Sequence, residues 1–512
     1  MSAVLSQDES TISHEKDENF DGKDVENAQD SVVLQVYTDK EKNRVKWKVD
    51  LYLMPLMYVI YGLQQLDKTS ISSQYLFGIA KATHMVGTQY NWLSTIFYLT
   101  YMFAEFPSNW IIQRYNIGKI LTGYIFLWGS TVMLTAACKN WTQLMALKAL
   151  QGIFECTIGP GFLLIISSWY TQQEHAARAL IFMSANSGMG IISDIAIYFF
   201  GTAAQRNPDG LPAWKAIGIF IGGWTVLVAI ISFFILGTPN EVWWLTKEEK
   251  AIAIARVDRN MAGTDQTGKR VLNWGQVREA FRDPNAWFIT LNALLVSIPN
   301  GGVSAFGTII NKSFGFTQEQ VIIYGIPRLC YNIVWFYFIC FMTSKIKNIR
   351  MIFMLVSELP AFAGFLALSL VPADVSYKWT KWSLYLIATV FSTPLFLGWS
   401  MVSSNTAGKT KKSVVASMVF VAYCVGNMIG SQVFRTKDAP RYVKATIGIS
   451  CCIGVEFFVL LFWRFYLVRE NKRRDQALAD SGMTPQAAEL EGAEFGYQDM
   501  TDLENPHFRY AY

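Results

Sequence analysis

Lys148 and Glu155 stand seven residues apart within one apolar run, so on a helix they lie two turns apart on a single face. An ionised side chain at the centre of a membrane helix costs about 2.5–3.5 kcal/mol on insertion scales, so each one needs a reason. A lysine in that setting attracts a carboxylate, and Glu155 is a candidate for proton coupling. The same two residues also read as a structural pair, with Lys148 snorkelling to water. Arg328, preceded by Pro327, falls about halfway along another apolar run. Its guanidinium can grip a carboxylate through two parallel hydrogen bonds, and its structural alternative is a salt bridge to Glu358. Asp194 has the chemistry of a second proton-coupling group, since burial and a neighbouring cation act on a carboxylate in opposite directions; a permanently protonated, hydrogen-bonded aspartate is the alternative.

Uncharged polar residues mark further candidates for the substrate. Asn300-Gly-Gly302 is the clearest polar break in an apolar run, with an amide that donates and accepts and glycines that admit a ligand or another helix. Tyr61 and Gln64 are candidates to line a cavity from the first apolar run, with core packing as the default reading. Asn405 could contact substrate or cap a helix. Asp67-Lys68 and Glu105 read as contacts at helix ends.

These residues must be positioned by membrane helices. Apolar residues make up 52% of the 512 and charged residues only 16%, well below the roughly one quarter usual in soluble domains. The charges crowd into the first fifty residues, a central stretch and the C-terminal tail. Between them, runs of about twenty apolar residues match a hydrocarbon core of about 30 Å. Hydropathy places spans at about 46–66, 89–107, 118–137, 142–167, 179–200 and 214–237, then at about 286–309, 317–342, 350–371, 381–403, 413–434 and 445–468. The expected organisation is a disordered cytoplasmic tail (1–45), a six-helix bundle (46–237), a cytoplasmic linker with amphipathic helices (238–285), a second six-helix bundle (286–468) and a cytoplasmic tail (469–512). Basic residues concentrate on the segments that share a side with both termini, which the positive-inside rule assigns to the cytosol. The glycosylation sequons at Asn140 and Asn311 fall on the opposite side.

In the linker, Thr246-Lys-Glu-Glu249 is a capping box that starts a helix with Ala251, Ile252, Ala255 and Val257 as its apolar stripe. Trp274, Val277 and Phe281 give a second amphipathic face. No phosphate-binding loop is present to drive transport with ATP, and the four histidines lack metal-ligand spacing, so no enzyme, cofactor, metal or nucleic-acid partner is expected. The cysteines sit mostly in apolar runs and suggest no disulfide framework.

Several stretches resemble the fungal allantoate permease family, in the anion:cation symporter branch of the major facilitator superfamily. They are Gln64-Gln-Leu-Asp-Lys-Thr-Ser70, Tyr101-Met-Phe-Ala-Glu-Phe-Pro-Ser-Asn109, Leu150-Gln-Gly-Ile-Phe-Glu-Cys-Thr-Ile-Gly-Pro-Gly161, Ile298-Pro-Asn-Gly-Gly-Val-Ser-Ala-Phe306 and the tail Thr501-Asp-Leu-Glu-Asn-Pro-His-Phe-Arg-Tyr510. The loop Gln113-Arg-Tyr-Asn-Ile-Gly-Lys119 departs from the general superfamily signature by lacking its acid. The resemblance implies an all-α fold of twelve transmembrane helices in two six-helix bundles. It also implies a monomeric symporter importing a small organic anion, such as allantoate or ureidosuccinate, with protons at a fungal plasma membrane. A vitamin or sulfur-containing acid as cargo, or a non-transporting nutrient sensor, are the alternatives.

Overall fold

The computed structural model describes residues 37–512, apart from 172–173, 175–177, 179–180, 182–183, 262–272, 347, 373, 436–437 and 440. Residues 1–36 of the expected disordered tail therefore lie outside the described residues, whereas its residues 39–45 are helical because Thr38 caps a helix that begins at Asp39. The first half comprises α1 (Asp39–Leu76), α2 (Ile79–Ala82), α3 (Gln89–Arg114), α4 (Ile117–Leu134), α5 (Trp141–Glu155), α6 (Ile158–Trp169), α7 (Ala185–Arg206) and α8 (Ala213–Ile235). Two linker helices follow, α9 (Lys247–Met261) and α10 (Trp274–Arg282). The second half comprises α11 (Pro284–Ser313), α12 (Gln318–Ile323), α13 (Ile326–Lys345), α14 (Arg350–Leu370), α15 (Lys378–Ala388), α16 (Thr393–Asn405), α17 (Lys409–Val433) and α18 (Val443–Ser481), with α19 (Pro485–Tyr497) in the tail. The described residues form no strand.

Among the described residues, ten segments are long and apolar enough to span a membrane. The helices α1 and α3 complete the twelve; they are less apolar because their polar and aromatic faces turn into the molecule. Proline explains where spans break. Its ring clashes with the carbonyl four residues earlier and it donates no hydrogen bond. Pro160 thus parts α5 from α6 at Cys156–Thr157, Pro327 parts α12 from α13 after Ile323, and Pro394 follows the 3₁₀ turn Thr389–Ser392.

The glycines of Asn300-Gly-Gly302 serve helix packing. A Cβ on Gly301 would meet the Asn427 backbone, one on Gly426 the Ser297 side chain, and one on Gly430 the Ile298 carbonyl. Small residues four apart on α17 therefore let its backbone touch α11. Gly430→Val is expected to destabilise the protein by about 1–3 kcal/mol through overpacking. Thermal unfolding in detergent checks this, and an unchanged midpoint would show that the two helices do not approach so closely.

The linker helices differ from their sequence reading. The Thr246–Glu249 capping box forms, with both reciprocal hydrogen bonds at 3.0 and 3.2 Å. Its helix, however, buries Ile252, Ala253 and Val257, while Ala251 and Ala255 face outward. Arg256 turns inward instead to bond Glu174 at 2.8 Å, and this polar anchor sets the helix rotation. In α10 the buried face is Gln276 and Ala280, and Trp274 and Phe281 are exposed. Gln276 holds that rotation by bonding the backbone amides of Thr410 and Lys411 and the Asp499 carbonyl. The aromatic face is left for the membrane interface.

Candidate functional site

Four charged residues from two helices of the first half form a buried cluster. Tyr61, Gln64 and Lys68 align on one face of α1, while Lys148, Gln151 and Glu155 align on α5. The Lys148 ammonium lies 3.2 Å from Asp67, and the Lys68 ammonium lies 3.0 Å from Glu155. The second contact is an ion pair between the largely buried Lys68 side chain and the fully buried Glu155. Asp67 also accepts from the Trp128 indole at 3.0 Å. Lys68 sits 5.3 Å from the centre of the Tyr101 ring and 6.0 Å from that of Phe97, a cation–π environment. Two lysines and two carboxylates balance, which is how buried charge is tolerated in hydrocarbon.

Sequence reading placed Asp67 and Lys68 at a helix end. The structure corrects this. The helix continues to Leu76, because Ser70, Ser72, Ser73 and Gln74 are buried against neighbouring helices rather than ending it. Gln151 was also missed. It lies between Lys148 and Glu155, fully buried, with neither amide atom hydrogen-bonded. The signal for Lys68 was present in the stripe Tyr61–Gln64–Lys68; Gln151 was masked by its apolar surroundings.

Lys68 and Lys148 line a cavity of about 20 Å³ together with Ser94, Tyr98, Gly301 and Ser304. The cavity therefore lies between the halves, since Gly301 and Ser304 belong to α11. It has room for about one water, so an organic anion requires it to widen. Away from the termini the halves are joined by hydrogen bonds. Tyr90 donates to the Ala305 carbonyl at 2.5 Å, Asn91 to the Ser431 carbonyl at 2.7 Å, and Gln318 to the Leu76 carbonyl at 2.7 Å. Ser72 and Thr308 share a hydroxyl contact of 2.6 Å. Toward the termini, the ion pairs Asp50–Arg178 and Lys411–Asp283 each stay within one half.

The other sequence candidates fall into separate places. Arg328 begins α13, is half-buried and interacts electrostatically with Asp194 of α7, so these two face one another across the halves without a close ion pair. Arg328 does not line the small cavity, and its Nε has no hydrogen-bond partner. Asn300 donates to the Asn427 side chain at 2.9 Å, a contact within the second half. Asn405 is fully buried and exchanges two hydrogen bonds of 2.8 Å with the backbone of Ala511. Its amide is thus committed to the C-terminal tail, far from the cluster in fold position. Asn140 caps α5 by accepting from the Gln143 amide at 2.9 Å and is exposed, whereas Asn311 is buried in the last turn of α11. Burial closes Asn311 to a glycosylating enzyme once the chain has folded.

The family model described as Major Facilitator Superfamily matches residues 57–431. An uncharacterized transporter of Schizosaccharomyces pombe is 32% identical, covering 93% of this chain and 88% of its own. The allantoate permease of Saccharomyces cerevisiae is 29% identical over 93% of this chain and 87% of its own, and a thiamine pathway transporter of the same yeast is 29% identical over 92% and 86%. Among solved structures, the Escherichia coli xylose transporter in a partially occluded inward-open conformation aligns with a TM-score of 0.61 at 11% identity, covering 82% of this chain and 98% of that one. A bacterial homolog of the human lysosomal transporter Spinster aligns at 0.57 and 14% identity, covering 84% and 97%.

Proposed function

Because this chain belongs to the Major Facilitator Superfamily, among the fungal transporters that include allantoate permease, we propose that it imports a small organic anion together with protons. It is a multi-pass membrane transporter acting on a small molecule; the anion, the protons, the monomeric state and the fungal plasma membrane with both termini cytoplasmic are our reading. The observation that carries it is the paired arrangement of Lys68 with Glu155 and Lys148 with Asp67 at a cavity between the halves.

An arriving carboxylate competes with Asp67 and Glu155 for the two lysines. A side-chain carboxylate displaced from its lysine takes a proton on one oxygen, because an uncompensated charge in a dry interior is costlier than the neutral acid. The lysine keeps its charge and holds the substrate. One anion and one proton therefore enter together, and the cluster's charge is unchanged. Inward movement of a bare anion would oppose an inside-negative potential, which each accompanying proton offsets. Gln64, Gln151 and Tyr61 supply hydrogen-bonding groups to the rest of the substrate. Arg328 and Asp194, a second cation–carboxylate set across the halves, are reached as the cavity widens.

The test is uptake of radiolabelled acids by cells expressing the chain, at acidic and neutral external pH. The panel spans ureido acids, other carboxylates, a vitamin and sulfur-containing acids, since one relative carries the name of a thiamine pathway transporter. The expected result is uptake of one anion that is faster at acidic pH and abolished by a protonophore. Uptake indifferent to both would remove proton coupling, and none across the panel, with the protein at the cell surface, would favour a sensor.

A further inference from the structure

Glu358 and Glu456 are buried charges that the central cluster leaves unused. They come from different helices: Glu358 from the middle of α14 and Glu456 from the spanning part of α18, which pack along one another within the second half. Glu358 is 1% exposed and Glu456 fully buried. All four carboxylate oxygens lack a hydrogen-bond partner, and neither group makes an ion pair among the described residues. The two interact with one another electrostatically, and Cys452, one turn from Glu456, is the other titratable neighbour.

The charged groups on the packed elements are placed elsewhere: α11, which packs on α18, carries only Lys312, in its last turn, and α17 carries its lysines at its start, where Lys411 pairs with Asp283 and Asp502 and Lys412 bonds the Ser403 carbonyl. The Ser357 hydroxyl donates to the Met354 carbonyl at 2.8 Å, and Ser450 donates to the Thr446 carbonyl at 2.9 Å. On α14, Arg350 bonds Ser404 at 3.3 Å; on α18, Arg464, two turns beyond Glu456, lies over the Tyr512 ring at 5.1 Å with its Nη1 unbonded and makes no ion pair with Glu456; on α15, Lys381 bonds the Asp374 carbonyl at 3.0 Å and Lys378 sits over Phe316. The 3₁₀ turn Thr389–Ser392 and α16, which also pack on α14, carry no charged residue. Arg328, offered from sequence as the partner of Glu358, instead faces Asp194.

A carboxyl group in such a place, without cation or donor, is stable only in its neutral form. We propose that Glu358 and Glu456 are a proton-binding site inside the second half, distinct from the central cluster, in which each carboxyl holds a proton where a counter-cation would otherwise be required. The bound protons let α14 and α18 pack; their loss leaves two buried like charges on helices that pack along one another. The ligand is the proton itself, and binding is reversible protonation at a carboxylate oxygen with no other bond changed. The proposal stands independently of what the transporter carries.

The sign of its pH dependence follows from proton counting. In the unfolded chain both groups are ionised at neutral pH, so the folded state binds more protons and its stability falls as pH rises. Glutamine keeps the shape of the neutral acid and does not titrate. The experiment is infrared spectroscopy and thermal unfolding on the purified full-length protein, comparing wild type with E358Q, E456Q and the double variant. At neutral pH each single variant is expected to lose part of the absorbance of protonated carboxyl groups. The double variant is expected to gain in midpoint temperature relative to wild type as pH is raised. Variant spectra that keep the whole band, or a temperature gap that stays constant with pH, overturn the proposal. So does stabilisation of wild type by sodium over choline that the double variant lacks, which would make this a cation site. If neither single variant folds, the double variant and the wild-type spectrum decide alone: no protonated-carboxyl absorbance lost on alkalinisation overturns the assignment.

Discussion

Lys68→Ala is expected to lower anion uptake by roughly 30- to 4,000-fold while leaving a measurable amount of protein at the cell surface. Removing one partner of a buried charge pair costs about 2–5 kcal/mol, and every 1.4 kcal/mol is a factor of ten in affinity. Lys68 faces Glu155 at 3.0 Å and lines the inter-half cavity beside Lys148. Its loss removes an attraction for the substrate and leaves Glu155 buried with no close cation. Two controls separate these effects. Lys68→Arg keeps the charge and is expected to retain partial uptake. The double variant Lys68→Ala with Glu155→Gln relieves the stranded carboxylate, so it is expected to restore folding without restoring transport. Uptake normalised to surface expression measures all three. Near-normal uptake by Lys68→Ala would remove this lysine from the substrate's path.

Lys411→Ala is expected to destabilise the second half by about 3–5 kcal/mol, the range for stranding a buried carboxylate. The Lys411 side chain is fully buried at the start of α17, and its ammonium meets three carboxylates: Glu279 of α10 at 2.9 Å, Asp283 at 2.8 Å and Asp502 of the tail at 2.8 Å. Burial pushes the Asp283 carboxyl up, and Lys411 is the main group pulling it back. Without the lysine, two fully buried carboxylates and a third beside them lose their cation. The tail should then detach, although Arg474 still reaches the carbonyls of Asp502 and Phe508 at 2.9 Å. Thermal unfolding and limited proteolysis read the result. Removing residues 499–512 should expose the same ammonium and give a loss of similar sign. An unchanged midpoint in Lys411→Ala, with the tail still protected from protease, would show that the ion cluster contributes nothing to docking.

Much of the architecture was legible before any tertiary information. A hydrocarbon core demands runs of about twenty apolar residues, and a helix is the structure that satisfies its own backbone there. Twelve such segments, the long connector between the sixth and seventh, the proline breaks at Pro160 and Pro327, and the Thr246–Glu249 cap all follow from local chemistry. Where local signals misled, a long-range polar contact had overruled an apolar stripe. Gln276 reaching the Asp499 carbonyl turned α10 so that Trp274 and Phe281 face out.

The candidate site was legible only along single helices. Period alone put Lys148 and Glu155 on one face of α5, and that is how the structure has them. What period cannot say is which residue of another helix stands opposite, because that depends on how each helix is rotated and how closely it packs. Lys148 therefore met Asp67, and Glu155 met Lys68, two residues that looked like a helix end because serines follow them. Glu358 lies on a helix packed against that of Glu456 and makes no pair with Arg328, and Asn405 met the tail and not a cavity. By itself the sequence determined twelve membrane-spanning segments and which faces carry charge, since those follow from solvent and helix geometry, while the transporter reading came from the family resemblance. The pairing of those charges was decided by the tertiary structure alone, because it arises from contacts between residues far apart in the chain.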